Sequence, residues 1–246
     1  MKKIIYKLIG WFGFKLIEKQ LIKNNRIIAN YSYININKVL EFIFSLNKIE
    51  NVIQVGANDG KRFDNLNFFL KKSSCKTVLI EPIKEFYNEL KINYENHSNI
   101  FFENSAISNE NKLQYIYTVN QNQLANYDKH ISGISSFKKK HLLKHGVKSK
   151  DIIKEKVNSL TLKEVLDKYN FTNLDLLVID AEGYDGYIVN NYFKDCSFQP
   201  IIIFEYIHIE THIFEKLIKV LKSKKYNFFK VEENLICFPN NKKIIL

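Results

Sequence analysis

Short apolar runs alternate along this chain with longer stretches whose apolar residues recur every three or four positions. "NVIQV" (51–55), "KTVLIEP" (76–82) and "NIFFEN" (99–104) are runs of the first kind. Between them, 61–72 sets Phe63, Leu66, Phe69 and Leu70 on one helical face, and 84–96 does the same with Phe86, Leu90 and Tyr94. The pattern resumes with a helix at 159–169, N-capped by Ser159 or Thr161. Strands follow in "LDLLVIDAEG" (174–183) and "PIIIFEYI" (200–207), with helices after them at 184–194 and 211–223. "KLQYIYTV" (112–119) reads as an edge hairpin strand, and "YNFFKVEENLICFP" (226–239) as a closing hairpin turning at Glu233-Asn234. Strands alternating with amphipathic helices imply parallel βαβ units. The expectation is an α/β, Rossmann-like domain over 49–246, with about seven mostly parallel strands and a C-terminal antiparallel hairpin. Strand 51–55 should lie between 76–81 and 174–180, at the switch point. Residues 1–48 read as an N-terminal helical extension. Residues 120–150 are polar and irregular, a lid or acceptor loop, because so long a loop in a compact domain is usually functional or disordered.

Composition changes this picture little. A chain of 246 residues suits one domain with an elaborate edge. The net charge of +11 suggests a nucleic-acid partner. The excess is Lys, spread evenly with Asn and Ile as AT-rich codons would produce, and Arg is scarce, whereas nucleic-acid grooves use Arg forks for phosphates and guanine edges. Cys75, Cys196 and Cys237 form no CxxC and no even framework, which points to a reduced, cytoplasmic protein. In "MKKIIYKLIGWFGFKLIEKQ" the apolar run is broken by Lys7 and Lys15 and no cleavage site follows. It is too short and too charged to span a bilayer. It is expected to pack on the domain, the alternative being peripheral contact of 1–24 with the inner face of a membrane.

Candidate chemistry gathers at the strand ends. The turn Gly56-Ala57-Asn58-Asp59-Gly60 follows the first strand, where backbone can approach a ligand and helix N–H groups face negative charge. It lacks the third glycine of the dinucleotide fingerprint, so an adenosine without a pyrophosphate fits better than NAD. Glu81 closes the second strand 25 residues after Gly56, placed to accept hydrogen bonds from ribose hydroxyls. Turn and acid together point to S-adenosylmethionine. Asp180 and Glu182 end the fourth strand, Glu205 the fifth, and His208 follows. Acids are costly inside apolar strands and cheap where strand ends open into a polar cleft.

"VIQVGANDG", "LIEP", "FFENSAIS", "SLTLKEVL", "LLVIDAEGYDG" and "IIFEYIH", in that order, resemble the FkbM family of methyltransferases over about residues 50–210. Lys163 stands where the family usually has Asp, and Ala181 where a branched apolar residue is commoner. The resemblance implies a class I fold that binds S-adenosylmethionine, releases S-adenosylhomocysteine and mostly methylates oxygen, often on sugars or sugar-bearing natural products. It implies cofactor contacts at Gly56, Ala57, Asn58, Asp59, Gly60, Glu81, Pro82, Ser105, Ala106 and Asp180, and it matches Ser135 and Ser136 to a serine pair over the acceptor.

A sugar hydroxyl attacks well only if its proton is taken as it does so. Asp180 and His208 are the candidate bases; His208 is preferred because an imidazole titrates near neutral pH, with Glu205 orienting it and Asp180 then positioning the acceptor or a metal, while Glu182 and Glu205 would bind acceptor hydroxyls. Six lysines between 138 and 150, with no acid among the residues between them, suit an anionic acceptor such as a sugar nucleotide or a surface-polysaccharide sugar. Asp180, Glu182, Glu205 and His208 offer oxygens to a divalent ion such as Mg²⁺, but no spacing requires one, and no metal is expected. "HIETH" at His208 and His212 is not the zinc signature, and His141 and His145, set among lysines, read as a solvated helix face. The alternatives on the same fold class are a nicotinamide oxidoreductase, a nucleic-acid methyltransferase and a non-catalytic binding module.

Overall fold

A computed structural model of the protein describes residues 34–109, 112–128, 131 and 133–240. The expectations placed on 1–33, membrane contact through 1–24 included, lie outside the described residues. A seven-stranded sheet is built from β1 (Asn51–Val55), β2 (Lys76–Ile80), β3 (Ile100–Glu103), β8 (Leu176–Ile179), β9 (Ile201–Glu205), β10 (Tyr226–Val231) and β11 (Asn234–Pro239). Its order is β10-β11-β9-β8-β1-β2-β3, parallel except where β11 pairs with β9 and β10. As expected, β1 lies between β2 and β8, where the chain order reverses. The C-terminal hairpin turns one residue earlier than expected: Val231 pairs with Asn234, leaving Glu232, with φ of 52°, and Glu233 as the loop.

Residues along each central strand alternate between two cores. Ile53, Val55, Val78 and Ile80 point to one, shared with α5 (Leu162–Lys168), α6 (Asp185–Asp195) and α7 (Thr211–Ser223). Val52, Leu79, Leu176 and Ile203 point to the other, with α1 (Ile36–Leu46), α2 (Asn67–Lys72) and α3 (Lys84–Asn93). Both faces of the sheet are therefore covered, as a parallel sheet requires. α1 is no appendage: Ile36, Val39, Leu40 and Ile43 are buried, and the Ile36 N–H donates to Glu232 Oε2 at 3.2 Å. Thr161, not Ser159, caps α5, in a reciprocal box with Glu164.

The helix expected from 61 begins only at Asn67. Asp59 Oδ1 accepts the Lys61 and Arg62 N–H groups, and Asp64 Oδ1 accepts that of Leu66, so side chains compete with the helix for backbone donors. Phe63, expected on the buried face, has φ of 58° and is 71% exposed.

A second sheet occupies the middle of the chain, in the order β4-β7-β5-β6: β4 (Ala106–Ile107), β5 (Lys112–Val119), β6 (Ser135–Ser136) and β7 (Ile152–Leu160). β5 is not an edge of the main sheet; it pairs antiparallel with β7 along its length. Residues 120–150 are likewise more structured than their polarity suggests. Val119, Ile131, Ile134, Leu142 and Val147 form a small core of their own under α4 (Lys139–Lys144). Among the described residues no helix is long and apolar enough to cross a membrane.

Candidate active site

β1 ends at Val55, and Gly56 turns the chain with φ of 78°. A Cβ there would stand 1.9 Å from the Asp180 carbonyl oxygen at the end of β8. The Gly56 and Ala57 N–H groups both donate to the Ile80 carbonyl, at 2.9 and 3.0 Å, which locks the turn against β2. Asn58, with φ of 49°, donates its N–H to Glu81 Oε2 at 2.9 Å, and the Ile83 N–H donates to Glu81 Oε1 at 2.8 Å. Glu81 is thus buried with one amide on each oxygen and lone pairs to spare. Burial pushes its pKa up to about 7 against the pull of the Ile83 and Asn58 amides.

The rest of the glycine turn works from behind. A Cβ on Gly60 would meet Leu90 Cδ1 at 2.4 Å and Tyr94 Cε2 at 2.6 Å, so this glycine serves the packing of α3. Asp59 binds Arg62 Nε at 2.6 Å. Neither Asp59 nor Gly60, both expected among the cofactor contacts, is among the residues that line the cleft.

The cleft has a volume of about 720 Å³ and opens beyond the carboxyl ends of the parallel strands, where doubly wound sheets bind ligands. Gly56, Ala57, Asn58, Glu81 and Pro82 form one wall, with Ser105 and Ala106 beside them. Asp180, Glu182, Glu205 and His208 line the cleft as well, as do Ser135 and Ser136 of β6. All of the expected site residues except Asp59 and Gly60 therefore meet in one cavity. The sequence reading missed Gln54, Phe63, Asp64 and His145, which also line it. Gln54 carried a signal, as the one strongly polar side chain inside the apolar run of β1; its Nε2 donates to Asp64 Oδ1 at 3.2 Å. Gln54 Oε1, Asp64 Oδ2, Ser105 Oγ and Glu205 Oε2 are buried with no hydrogen-bond partner among the described residues. Buried polar atoms left in that state are expensive, so the cleft suits a ligand rich in polar groups.

The loop after β8 is held by Asp185, fully buried, which accepts the Ala181 and Gly183 N–H groups at 3.2 Å each. Ser136 Oγ donates to the Glu182 carbonyl at 3.1 Å, tying the second sheet to this loop. Gly183 packs on the main chain of the next loop; its Cβ would lie 3.0 Å from the His208 carbonyl oxygen. Asp180 is open to the cleft yet deep within it, and both its carboxyl and that of Glu182 are raised, by burial first. Glu205 is pushed up to about 9 by burial and by Asp180 and Glu182, so at neutral pH it carries a proton and can donate.

His208 Nε2 is 3.7 Å from Glu205 Oε1, too far for the orienting hydrogen bond expected. Its ring instead packs edge-on against His141 and His145, with centroids 4.8 and 5.0 Å away. Those two do not lie on a solvated face. α4 turns His141 and Leu142 inward and Lys140 and Lys144 outward, and His141 Nε2 meets Glu182 Oε2 at 2.7 Å. Burial lowers the pKa of His141 and of His208, with Lys144 adding to the first and the other two imidazoles to the second.

The family described as methyltransferase FkbM domain matches residues 54–228. Among solved structures, methyltransferase FkbM from Methylobacillus flagellatus KT aligns with 12% identity and a TM-score of 0.49. The match covers 79% of this chain and 45% of that one, so the chain spans less than half of that protein. An S-adenosylmethionine-dependent O-methyltransferase from Thermotoga maritima aligns at 7% identity and 0.43, covering 91% and 71%. N-methyltransferase NodS from Bradyrhizobium japonicum WM9, in complex with S-adenosyl-L-homocysteine, aligns at 10% and 0.41, covering 85% and 89%. No curated protein matches the sequence.

Proposed function

The chain belongs to the FkbM methyltransferase family, and from that membership we propose that it uses S-adenosylmethionine to methylate a hydroxyl of a carbohydrate. One observation carries the reading. The Gly56–Glu81 cradle and the acids and imidazole that follow β8 and β9 open into the same cleft, side by side.

The residues fit the cofactor. Glu81 has acceptor capacity left for ribose hydroxyls, and Ser105 Oγ, Gln54 Oε1 and Asp64 Oδ2, without partners among the described residues, offer further polar contacts. The cofactor supplies a methyl group activated on a sulfonium. This chain's part is to hold an acceptor oxygen in line with that methyl and to take its proton. Asp180, at the mouth of β8 and open to the cleft, is the better placed base, because His208 is enclosed by two other imidazoles. Glu205, protonated at neutral pH, and Glu182 suit a substrate that both donates and accepts hydrogen bonds, as sugar hydroxyls do. Lys139, Lys140 and Lys144 belong to α4, whose C-terminal residue His145 lines the cleft, and would favour an anionic acceptor such as a sugar nucleotide. The three free thiols support a reducing, cytoplasmic setting.

Calorimetry with S-adenosylmethionine, S-adenosylhomocysteine and NAD tests the cofactor. Transfer of labelled methyl to sugar nucleotides, with RNA and protein acceptors alongside, tests the substrate. Binding of the first two ligands only, and label on a sugar oxygen, are expected. Affinity for NAD alone, or label confined to RNA, overturns the reading.

A further inference from the structure

Four side chains from three separate segments converge at one end of the cleft: His141 and His145 from α4 and its C-terminal residue, Glu182 from the loop after β8, and His208 from the loop after β9. One donor atom from each can be chosen such that all lie within 4.8 Å of one another. We infer that His141, His145, Glu182 and His208 form a binding site for a single first-row transition-metal dication, of which Zn²⁺ is the type.

The donor set decides the class of ion. Three imidazoles and one carboxylate suit Zn²⁺, Co²⁺ or Mn²⁺, whereas Mg²⁺ and Ca²⁺ demand oxygen ligands. This donor set differs from the oxygen set, Asp180, Glu182, Glu205 and His208, that the sequence offered without requiring, and the proposal departs from the expectation of no metal. His141 and His145 are four apart, so both rings leave the same side of α4. Glu182 is held by its own backbone, at φ of 48°, between the Asp185 bonds on either side and the Ser136 bond to its carbonyl. Zn–N and Zn–O bonds of about 2.0–2.2 Å place tetrahedral ligands roughly 3.3 Å apart. The present spacing, up to 4.8 Å, would have to close toward that value as an ion binds.

His145, Glu182 and His208 line the cleft beside Asp180, so an ion there would face the arriving acceptor. On the proposed O-methyl transfer, on which only this role rests, it would hold the acceptor hydroxyl and lower the pKa of that proton, which Asp180 removes.

The full chain, stripped with chelator and dialysed, is titrated with ZnCl₂, CoCl₂ and MgCl₂ alone, with bound metal measured by mass spectrometry. About one Zn²⁺ per chain is expected, with visible absorption of the four-coordinate type for Co²⁺ and no comparable Mg²⁺ binding. His145→Ala and Glu182→Gln, each checked for native circular dichroism, should weaken Zn²⁺ at least ~10-fold. A folded wild-type chain that takes up no stoichiometric Zn²⁺ or Co²⁺, or folded variants that bind as it does, overturns the site. S-adenosylmethionine affinity is measured on the same metal-free samples. Its absence overturns the methyl-transfer reading and leaves the site to its titration. Full acceptor turnover by metal-free protein overturns the metal's role.

Discussion

At residue 56 the main chain runs so close to the Asp180 carbonyl that a methyl group has nowhere to go. Gly56→Ala would force β1 and β8 apart at their carboxyl ends, on top of a left-handed backbone that costs about 1–2 kcal/mol for any L side chain. Gly146 shares the positive φ, at 83°, but has open space around it. Denaturant titration should therefore show Gly146→Ala losing about 1–2 kcal/mol and Gly56→Ala clearly more, or failing to fold. Equal losses would mean that strand proximity is not what selects this glycine. Glu81 permits a test of another kind. Ribose hydroxyls donate to the ionised carboxylate, and burial has moved its pKa to about 7. S-adenosylmethionine affinity should weaken as pH falls through 7. Glu81→Ala should cost about 1.5–3 kcal/mol of binding and remove that pH dependence. Calorimetry at pH 6 and 8 on both proteins reads both effects, and an unchanged affinity in the folded variant removes the ribose role.

Elements differ in how openly their sequences announced them. β1, β2, β8 and β9 are buried on both faces and read as uninterrupted apolar runs, so their positions and mutual order were legible. α7 was legible to the residue, because its apolar stripe is strong and its ends are clean. β7 was missed: "IIKEKVNSL" buries only Val157 and Ser159 fully, and its charged residues resemble a loop. The two-residue β6 has no periodicity to detect. At the site, the acids at strand ends were found because charge next to an apolar run is conspicuous. His141 and His145 were misjudged because α4 puts three lysines in the same short stretch, and only tertiary packing separates the two sides. Those lysines give the prediction proper to this scale. Replacing Lys139, Lys140 and Lys144 by Gln should raise KM for an anionic acceptor and flatten its salt dependence, leaving cofactor affinity untouched. Steady-state kinetics across ionic strengths measures it, and an unmoved KM would leave the lysines as a solvated surface.

The molecule as a whole gathers carboxyls whose protons it prefers to keep. Glu81 and Glu205 have folded pKa values of about 7 and about 9, and Asp185 is also raised, all by burial first. Between the unfolded and folded values the folded state binds more protons, so stability declines as pH rises. His141 and His208, lowered on folding, act in the opposite sense only below about 6.5. Metal-free, cofactor-free protein should thus show a steady fall in melting temperature from pH 6.5 to 9, and a rising one would contradict the burial of these acids. The second sheet leaves the main domain and returns to it at a single place. Ala106 and Ile107 of β4 pair in parallel with Ser159 and Leu160 of β7, and Ser108 Oγ donates to Ser159 Oγ at 3.0 Å across the neck. What lies between those points is a detour whose two ends already touch, so its length and content can change without altering the path of the chain through the seven-stranded sheet. Descent with variation can then work on the two halves separately, keeping the cofactor's half fixed while the detour is exchanged to fit new acceptors. Grafting 109–158 from a relative of different acceptor preference should carry that preference with it and leave S-adenosylmethionine affinity where it was.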